Sequence, residues 1–333
     1  MKNRRATKII LAALGLSGPA LAHAADAPGY LMPDGAVSII GNDGMQTLID
    51  GLDGLYVSTH AGAKFQTTMK GSSTAMPALI AGLSLVAPMA RDAWRNDLGG
   101  FKQIYGYPPT AIRIGYSGYG PRPDGKTPPA IYVNQDNPLA GLTMAQLASV
   151  LGSGAPDGDA NLWSQLGLSG HWARHHIHVY GVRDDGGFAS AFRARFINGL
   201  QFTPRYEALE DYKAVARAVA DDPYGIGVVG WADRRDVPDR ARILPLARKA
   251  GEAFQLPSRQ AVAAGLYPLS FPLVLYVNKA PRQKLDPVVR DYLRLALSAQ
   301  GQAIVASQAT TREAYLPLDA EALKKERTLL DDL

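Results

Sequence analysis

Cysteine is absent from all 333 residues. Its absence excludes disulfide staples, thiol nucleophiles, cysteine-held metal centres and a lipid-modified cysteine after export. The chain also has no P-loop, no G-x-S-x-G nucleophile elbow and no H-E-x-x-H zinc pattern. Excess charge is missing as well, once the first residues are set aside. "MKNRRATK" holds Lys2, Arg4, Arg5 and Lys8 and no acid, and taking those four from the 35 basic residues leaves 31 against 30 acidic. So even a balance gives no electrostatic footprint for nucleic acid or an anionic membrane surface. No internal repeat, low-complexity tract or coiled-coil heptad is visible.

What is present begins with an export pattern. The basic start is followed by the apolar "IILAALGLSGPALA" and the small-x-small "AHA" ending at Ala24. The apolar stretch falls short of the roughly 18 residues a membrane span requires. Residues 1–24 therefore read as a secretory signal peptide, giving a mature N-terminus at Ala25 and no membrane insertion after cleavage. The expected location is the periplasm or the secreted fraction. Arg4-Arg5 matches the twin-arginine signal poorly.

The remaining chain, of two-lobe length, alternates short apolar runs, turns and amphipathic segments, the rhythm of an α/β fold. "AVSII" (36–40) predicts a strand, and "GNDG" turns into a helix marked by Met45, Leu48, Ile49 and Leu52. "KFQTTMK" (64–70) alternates; "GSST" (71–74) reads as a turn and cap before a helix over 75–83, with Pro77 in its first turn. "SLVAPMA" (84–90) and "HIHVYGV" (176–182) read as strands, as do "YGIGVVGW" (224–231) and "FPLVLYV" (271–277). Residues 206–223 predict one long helix, and Phe188, Phe192 and Phe196 line one helix face. "GYSGYGPRPDGKTPP" (115–129) reads as an exposed loop.

Seven segments, in order, resemble the periplasmic phosphate-binding receptors of ABC transporters, the PstS-like proteins. They are "GSSTAMPALIAG", "SLVAPMARD", "IYVNQDNPLAGLTMAQLASVLGSG", "VYGVRDDGG", "DPYGIGVVGW", "YPLSFPLVLYVNK" and "LSAQGQAIVASQ" with the later "YLPL". The resemblance covers nearly all of residues 36–330. It implies a two-lobed periplasmic-binding-protein fold of type II with two crossing strands: lobe one from 26–132 plus 275–333, lobe two from 133–274. It further implies a cleft for inorganic phosphate or a similar oxyanion, delivery to an ABC permease, and no cofactor or catalysis.

Four loops would hold the anion, by backbone amides at helix N-termini, hydroxyls and an arginine. In the first, "GNDG" (41–44), Gly44 stands where the family has a hydroxyl residue, so only its amide remains. The second, "KGSSTA" (70–75), offers Ser72, Ser73 and Thr74; the plainer reading makes them a helix cap worth about 1 kcal/mol. In the third, "APMARD" (87–92), Ala90 replaces the family's serine or aspartate; in receptors with the aspartate, that carboxylate accepts a proton from the ligand and distinguishes phosphate from sulfate. Arg91 and Asp92 read as a solvated pair. In the fourth, Arg183 matches the clamping arginine, Asp185 the carboxylate that holds it, and Gly186 also matches. The family triplet Ser-Gly-Thr is here Gly187, Phe188 and Ala189, although the amide of Gly187 remains. Phe188 suits either a core stripe or the cleft. A hydrogen bond to a charged group is worth about 1.5–3 kcal/mol. Losing several, at about 1.4 kcal/mol per tenfold, turns a micromolar site into a millimolar one. The site is thus expected to be weakened or retuned.

Other classes stay open at this level. Four of the six histidines crowd into "HWARHHIHV"; His171 and His175 can share a helix face as a metal pair, while His176 and His178 suit a solvated strand edge. A phosphatase would need a paired nucleophile and base, and none is evident. A binding or partner protein of the cell envelope on the same scaffold, with another ligand or none, is the remaining alternative.

Overall fold

The structure, a computed structural model, describes residues 28–120, 128–231 and 236–333. The expected signal peptide lies outside the described residues. The chain first lays down β1 (Val37–Gly41), α1 (Gln46–Thr59), β2 (Phe65–Met69), α2 (Ser72–Ile80), β3 (Ala87–Met89), α3 (Arg95–Tyr105) and β4 (Thr110–Ser117). It then builds β5 (Pro129–Asn134), β6 (Leu142–Thr143), α4 (Met144–Leu151), β7 (His178–Val182), α5 (Gly187–Phe196), β8 (Tyr206–Leu209), α6 (Tyr212–Asp221), β9 (Gly225–Gly230), β10 (Ala241–Ile243), β11 (Leu246–Ala247) and α7 (Arg259–Ala263). It returns with β12 (Phe271–Val277), α8 (Pro287–Ala296), α9 (Ala299–Ser307), β13 (Leu316–Pro317) and α10 (Ala320–Asp331).

These elements make an α/β fold with two principal sheets. One has the order β13-β4-β12-β3, and the other β10-β5-β9-β7-β8. β1 and β2 form a parallel pair in register from Val37 against Phe65 to Gly41 against Met69. Leu85 N donates to Ser38 O at 2.9 Å and Asn42 N to Pro88 O at 3.0 Å, so β1 also runs alongside β3 in the same direction. The carboxyl ends of β1, β2 and β3 therefore lie together, and the first three loops leave from one edge.

Each sheet has its own core. Ile39, Met45, Leu48, Ile49 and Leu52 pack with Ile112, Leu273, Leu275 and Tyr292 around the first. Ile131, Leu147, Trp163, Val179, Phe192 and Val228 pack around the second. The chain passes from one sheet to the other between β4 and β5 and returns between α7 and β12. All of β5 pairs in the second sheet and all of β12 in the first.

Several local expectations are corrected. Residues 206–223 are not one helix. Tyr206–Leu209 pairs in parallel with Val179–Val182 as an edge strand, and Asp211 then caps α6 by accepting from Ala214 N at 2.8 Å. α2 begins at Ser72 rather than 75, which puts Pro77 inside the helix instead of in its first turn. The strand expected over 84–90 shortens to Ala87–Met89, because Ser84 turns its hydroxyl to Val86 O and accepts from Ile40 N. The loop expected over 115–129 is shorter at both ends, where β4 and β5 claim its residues; 121–127 lie outside the described residues.

Candidate functional site

Loops one to three converge through hydrogen bonds. Ser72 Oγ accepts from Asn42 Nδ2 at 3.0 Å and from Ala90 N at 3.3 Å. One hydroxyl thus joins the carboxyl ends of β1, β2 and β3, and among the described residues its own proton remains to be donated. Gly71 initiates α2 at φ 113°, in the left-handed region, which turns the following amides and hydroxyls back toward β1. The cap expectation is corrected: no side chain caps α2. Thr74 Oγ1 instead donates to Gly71 O at 2.8 Å, and Ser73 is exposed.

Gly44 lies in the same cluster, and its missing side chain has a steric reason. A Cβ there would meet the Tyr315 hydroxyl at 2.9 Å, Glu313 Oε2 at 3.0 Å and Asn42 Oδ1 at 3.1 Å. The C-terminal segment fills the space a hydroxyl residue would occupy. Sequence patterns passed over Asn42, Glu313 and Tyr315. Asn42 was hidden inside a turn-like "GNDG", and Glu313 and Tyr315 lie far along the chain from the loop they approach.

Loop four leaves β7 and enters α5 at Gly187, as the family pattern implies. Arg183 and Asp185 form a two-pronged pair, Nε to Oδ1 at 3.0 Å and Nη2 to Oδ2 at 2.8 Å. The pairing holds the Asp185 carboxyl below its ordinary range, first through the hydrogen bond and then through the charge of Arg183. Both side chains are exposed, at 77% and 66%, and among the described residues neither bonds to loops one to three. Gly186 and Gly187 are sterically open apart from the Arg183 carbonyl beside Gly186. The three triplet positions differ in setting. Gly187 faces solvent, Phe188 packs half-buried on the second core, and Ala189 is fully buried. Phe188, Phe192 and Phe196 continue as an aromatic stripe, the first pair stacked with ring centroids 6.3 Å apart and the second tilted at 5.2 Å. The core reading of that stripe is the one the structure bears out.

The Arg91–Asp92 expectation is overturned. Arg91 is buried, donates to Asp97 Oδ2 at 2.7 Å and lies 3.8 Å from the centre of the Trp94 ring. Asp92 faces Arg113 at 3.5 Å instead. Arg91 lies where α5 meets the first sheet. Arg195 stacks at 4.5 Å over Phe271. Desolvation, and then the charge of Arg91, lower the basicity of Arg195.

His171 and His175 do not pair on a helix. His171 stands in a short 3-10 segment, Gly170–Arg174, and the His175 ring stacks on Tyr224 at 3.8 Å. His176 and His178 alternate as exposed positions with buried Ile177 and Val179, and His178 Nδ1 meets Asp222 Oδ2 at 2.6 Å. Among the described residues no three His, Cys, Asp or Glu side chains group to hold a metal. Nor is any described helix long and apolar enough to cross a membrane.

Two sheets with separate cores, two connections between them and loops gathered at strand carboxyl ends define a solute-binding scaffold of the two-lobed kind. Residues 34–300 match the PBP superfamily domain. The phosphate-binding protein PstS of Pseudomonas aeruginosa is 32% identical over 294 residues, 87% of this chain and 85% of its own length. The chain therefore belongs to the PBP superfamily and, within it, to the PstS-like receptors. In fold it is similar to PstS of Borrelia burgdorferi, at 17% identity over 86% of this chain and 99% of that one, with a TM-score of 0.59. It is also similar to a protein of Planctomyces limnophilus described as a possible phosphate-binding protein, at 18% identity over 90% and 98% of the two chains, with a TM-score of 0.51. These are binding receptors and not enzymes, which sets the phosphatase alternative aside.

Proposed function

We propose that the protein is a periplasmic receptor for inorganic phosphate or a closely related oxyanion, delivering it to an ABC permease. The observation that carries this reading is the Ser72 hydroxyl. It accepts two hydrogen bonds from two other loops and so has its proton left for an acceptor between them. Ser73 and the first amides of α2 add donors, the amide of Gly44 serves the first loop, and the α2 dipole favours negative charge there. From the other lobe, Arg183 keeps Nη1 for an anion while Asp185 holds its other two nitrogens; Gly186 and Gly187 leave the α5 amides open. The lobes of this reading are 26–132 with 275–333 and 133–274; the two separate cores support two lobes, with the whole of β5 going to the second and the whole of β12 to the first. Cleavage after Ala24 delivers the chain to the periplasm, as the export pattern suggests.

The site is retuned relative to the family pattern. Positions 187 and 189 have lost their hydroxyls, and position 189 is committed to the core. Calorimetric titration of the purified protein with phosphate, sulfate, arsenate and phosphonates tests the reading. Saturable one-to-one binding of phosphate or arsenate is expected. Failure to bind any of the four would overturn it.

A further inference from the structure

The cluster around Gly44 contains a carboxylate to which the receptor reading assigns no task. Glu313 is half-buried, and no hydrogen bond or ion pair engages it among the described residues. Its Oε2 lies 3.0 Å from the point where a side chain at position 44 would begin, and Asn42 Oδ1 lies 3.1 Å from the same point. The other end of that asparagine amide, Nδ2, donates to Ser72 Oγ at 3.0 Å. Glu313 and Asn42 thus both border Gly44, and Asn42 links that position to the hydroxyl that serves the anion.

The turn that presents Glu313 is built at a conformational cost. Ala314 follows it with φ 47°, a left-handed conformation that residues carrying a Cβ seldom adopt. Ala314 N donates to Thr311 O at 3.1 Å, and Tyr315 beyond it is buried in the first core at 2% exposure. In this turn Glu313 Oε2 reaches Gly44 of loop one.

An ionised carboxylate only accepts hydrogen bonds. Beside donors for an oxyanion it repels a fully deprotonated ligand and rewards one that still carries a proton. Specificity of that kind comes from an unfavourable contact with the competitor as much as from a favourable one with the ligand. Ala90, whose amide meets the same Ser72 hydroxyl, has no such acceptor to offer. We infer that Glu313 takes over this task. It accepts the hydrogen bond of a protonated oxyanion held by loops one to three, such as hydrogen phosphate or hydrogen arsenate, and thereby excludes sulfate. The assignment rests on the receptor reading and adds a specificity residue to it.

The test compares phosphate and sulfate affinities by calorimetry at pH 7.5 for wild type, Glu313→Gln and Glu313→Asp, with thermal melts confirming that each variant folds. Wild type is expected to prefer phosphate strongly. Glu313→Gln should cut the phosphate-to-sulfate ratio by about tenfold or more, because its amide donates to sulfate and its carbonyl is a weaker acceptor. Glu313→Asp retains a carboxylate and should keep most of the preference. A ratio unchanged in Glu313→Gln overturns the assignment alone. So does an equal gain for both anions, which would mark Glu313 as a general repelling charge. A wild type that binds neither anion overturns the receptor reading and the assignment together.

Discussion

Loops one to three and loop four present donors to an anion by opposite means. The first three are cross-linked before any ligand arrives, with Ser72 Oγ joining three strand ends and Gly44 closed over by Tyr315 and Glu313. Among the described residues loop four has no such links to them. Its arginine is forked onto its own aspartate two residues away, and both are largely solvated. The first group is preorganised by a polar network that is part of the fold. The second is an exposed charge on a helix start, held by the phenylalanine stripe behind it and by Arg193 Nη1, which donates to Asp184 O at 2.9 Å. Removing a group from the first region should therefore cost both structure and binding, whereas loop four separates the two: its scaffold bears on stability and its charge on affinity.

The largest expected effect falls on the scaffold of loop four. Phe192 is 2% exposed in the second core. Phe192→Ala should cost about 3–5 kcal/mol, the range for truncating a buried aromatic, read from the midpoint of urea unfolding. Phe188→Ala, half-buried on the same stripe, should cost distinctly less. Equal losses would mean the stripe is not graded as its burial indicates.

The next expectation concerns α1, the helix that loop one opens. Asp53 accepts from the Tyr292 hydroxyl at 2.8 Å, and its carboxyl is raised to about 7, chiefly by desolvation and further by nearby Asp50. A carboxyl raised above its unfolded value of about 3.9 stabilises the fold fully below that value, and the contribution is lost as pH rises through about 7. Asp53→Asn should therefore raise the thermal midpoint by several degrees at pH 8 and by less at pH 4. A midpoint shift equal at both pH values would contradict the linkage. Asp185 carries the opposite sign, since its lowered carboxyl contributes only above its unfolded value. Its exposure makes that contribution too small to show in a melt.

Smallest in stability is Arg183→Ala, which should leave the thermal midpoint unchanged while phosphate affinity falls. Asp185→Asn should weaken binding less, since it frees the guanidinium without removing it. Unaltered affinity in Arg183→Ala would take loop four out of the site.

Sequence patterns carry much of this molecule. Met45, Leu48, Ile49 and Leu52 recur at helical spacing and are all fully buried, because a helix packed on a sheet buries one stripe. The alternation of His176, Ile177, His178 and Val179 gives the correct buried face. Residues 206–209 escaped because helical propensity is a local quantity, whereas their pairing with β7 is a tertiary contact that overrides it. Arg91 escaped because its partner, Asp97, comes from the start of α3 and not from the adjacent residue. In the site, the family-like Ser72, Arg183 and Asp185 are visible as chemistry. That Ser72 is the junction and Arg183 the exposed partner is geometry, and spacing along the chain does not encode it. Glu313 belongs wholly to that second kind.

The most direct measurement is phosphate titration of Ser72→Ala beside wild type. Losing one hydrogen bond to a charged ligand is worth about 1.5–3 kcal/mol, so affinity should fall about tenfold to a hundredfold. The midpoint of unfolding should fall too, because Asn42 Nδ2 and Ala90 N lose their shared acceptor. Phosphate affinity equal to wild type in a folded Ser72→Ala protein would contradict the claim that this junction is where the anion is held.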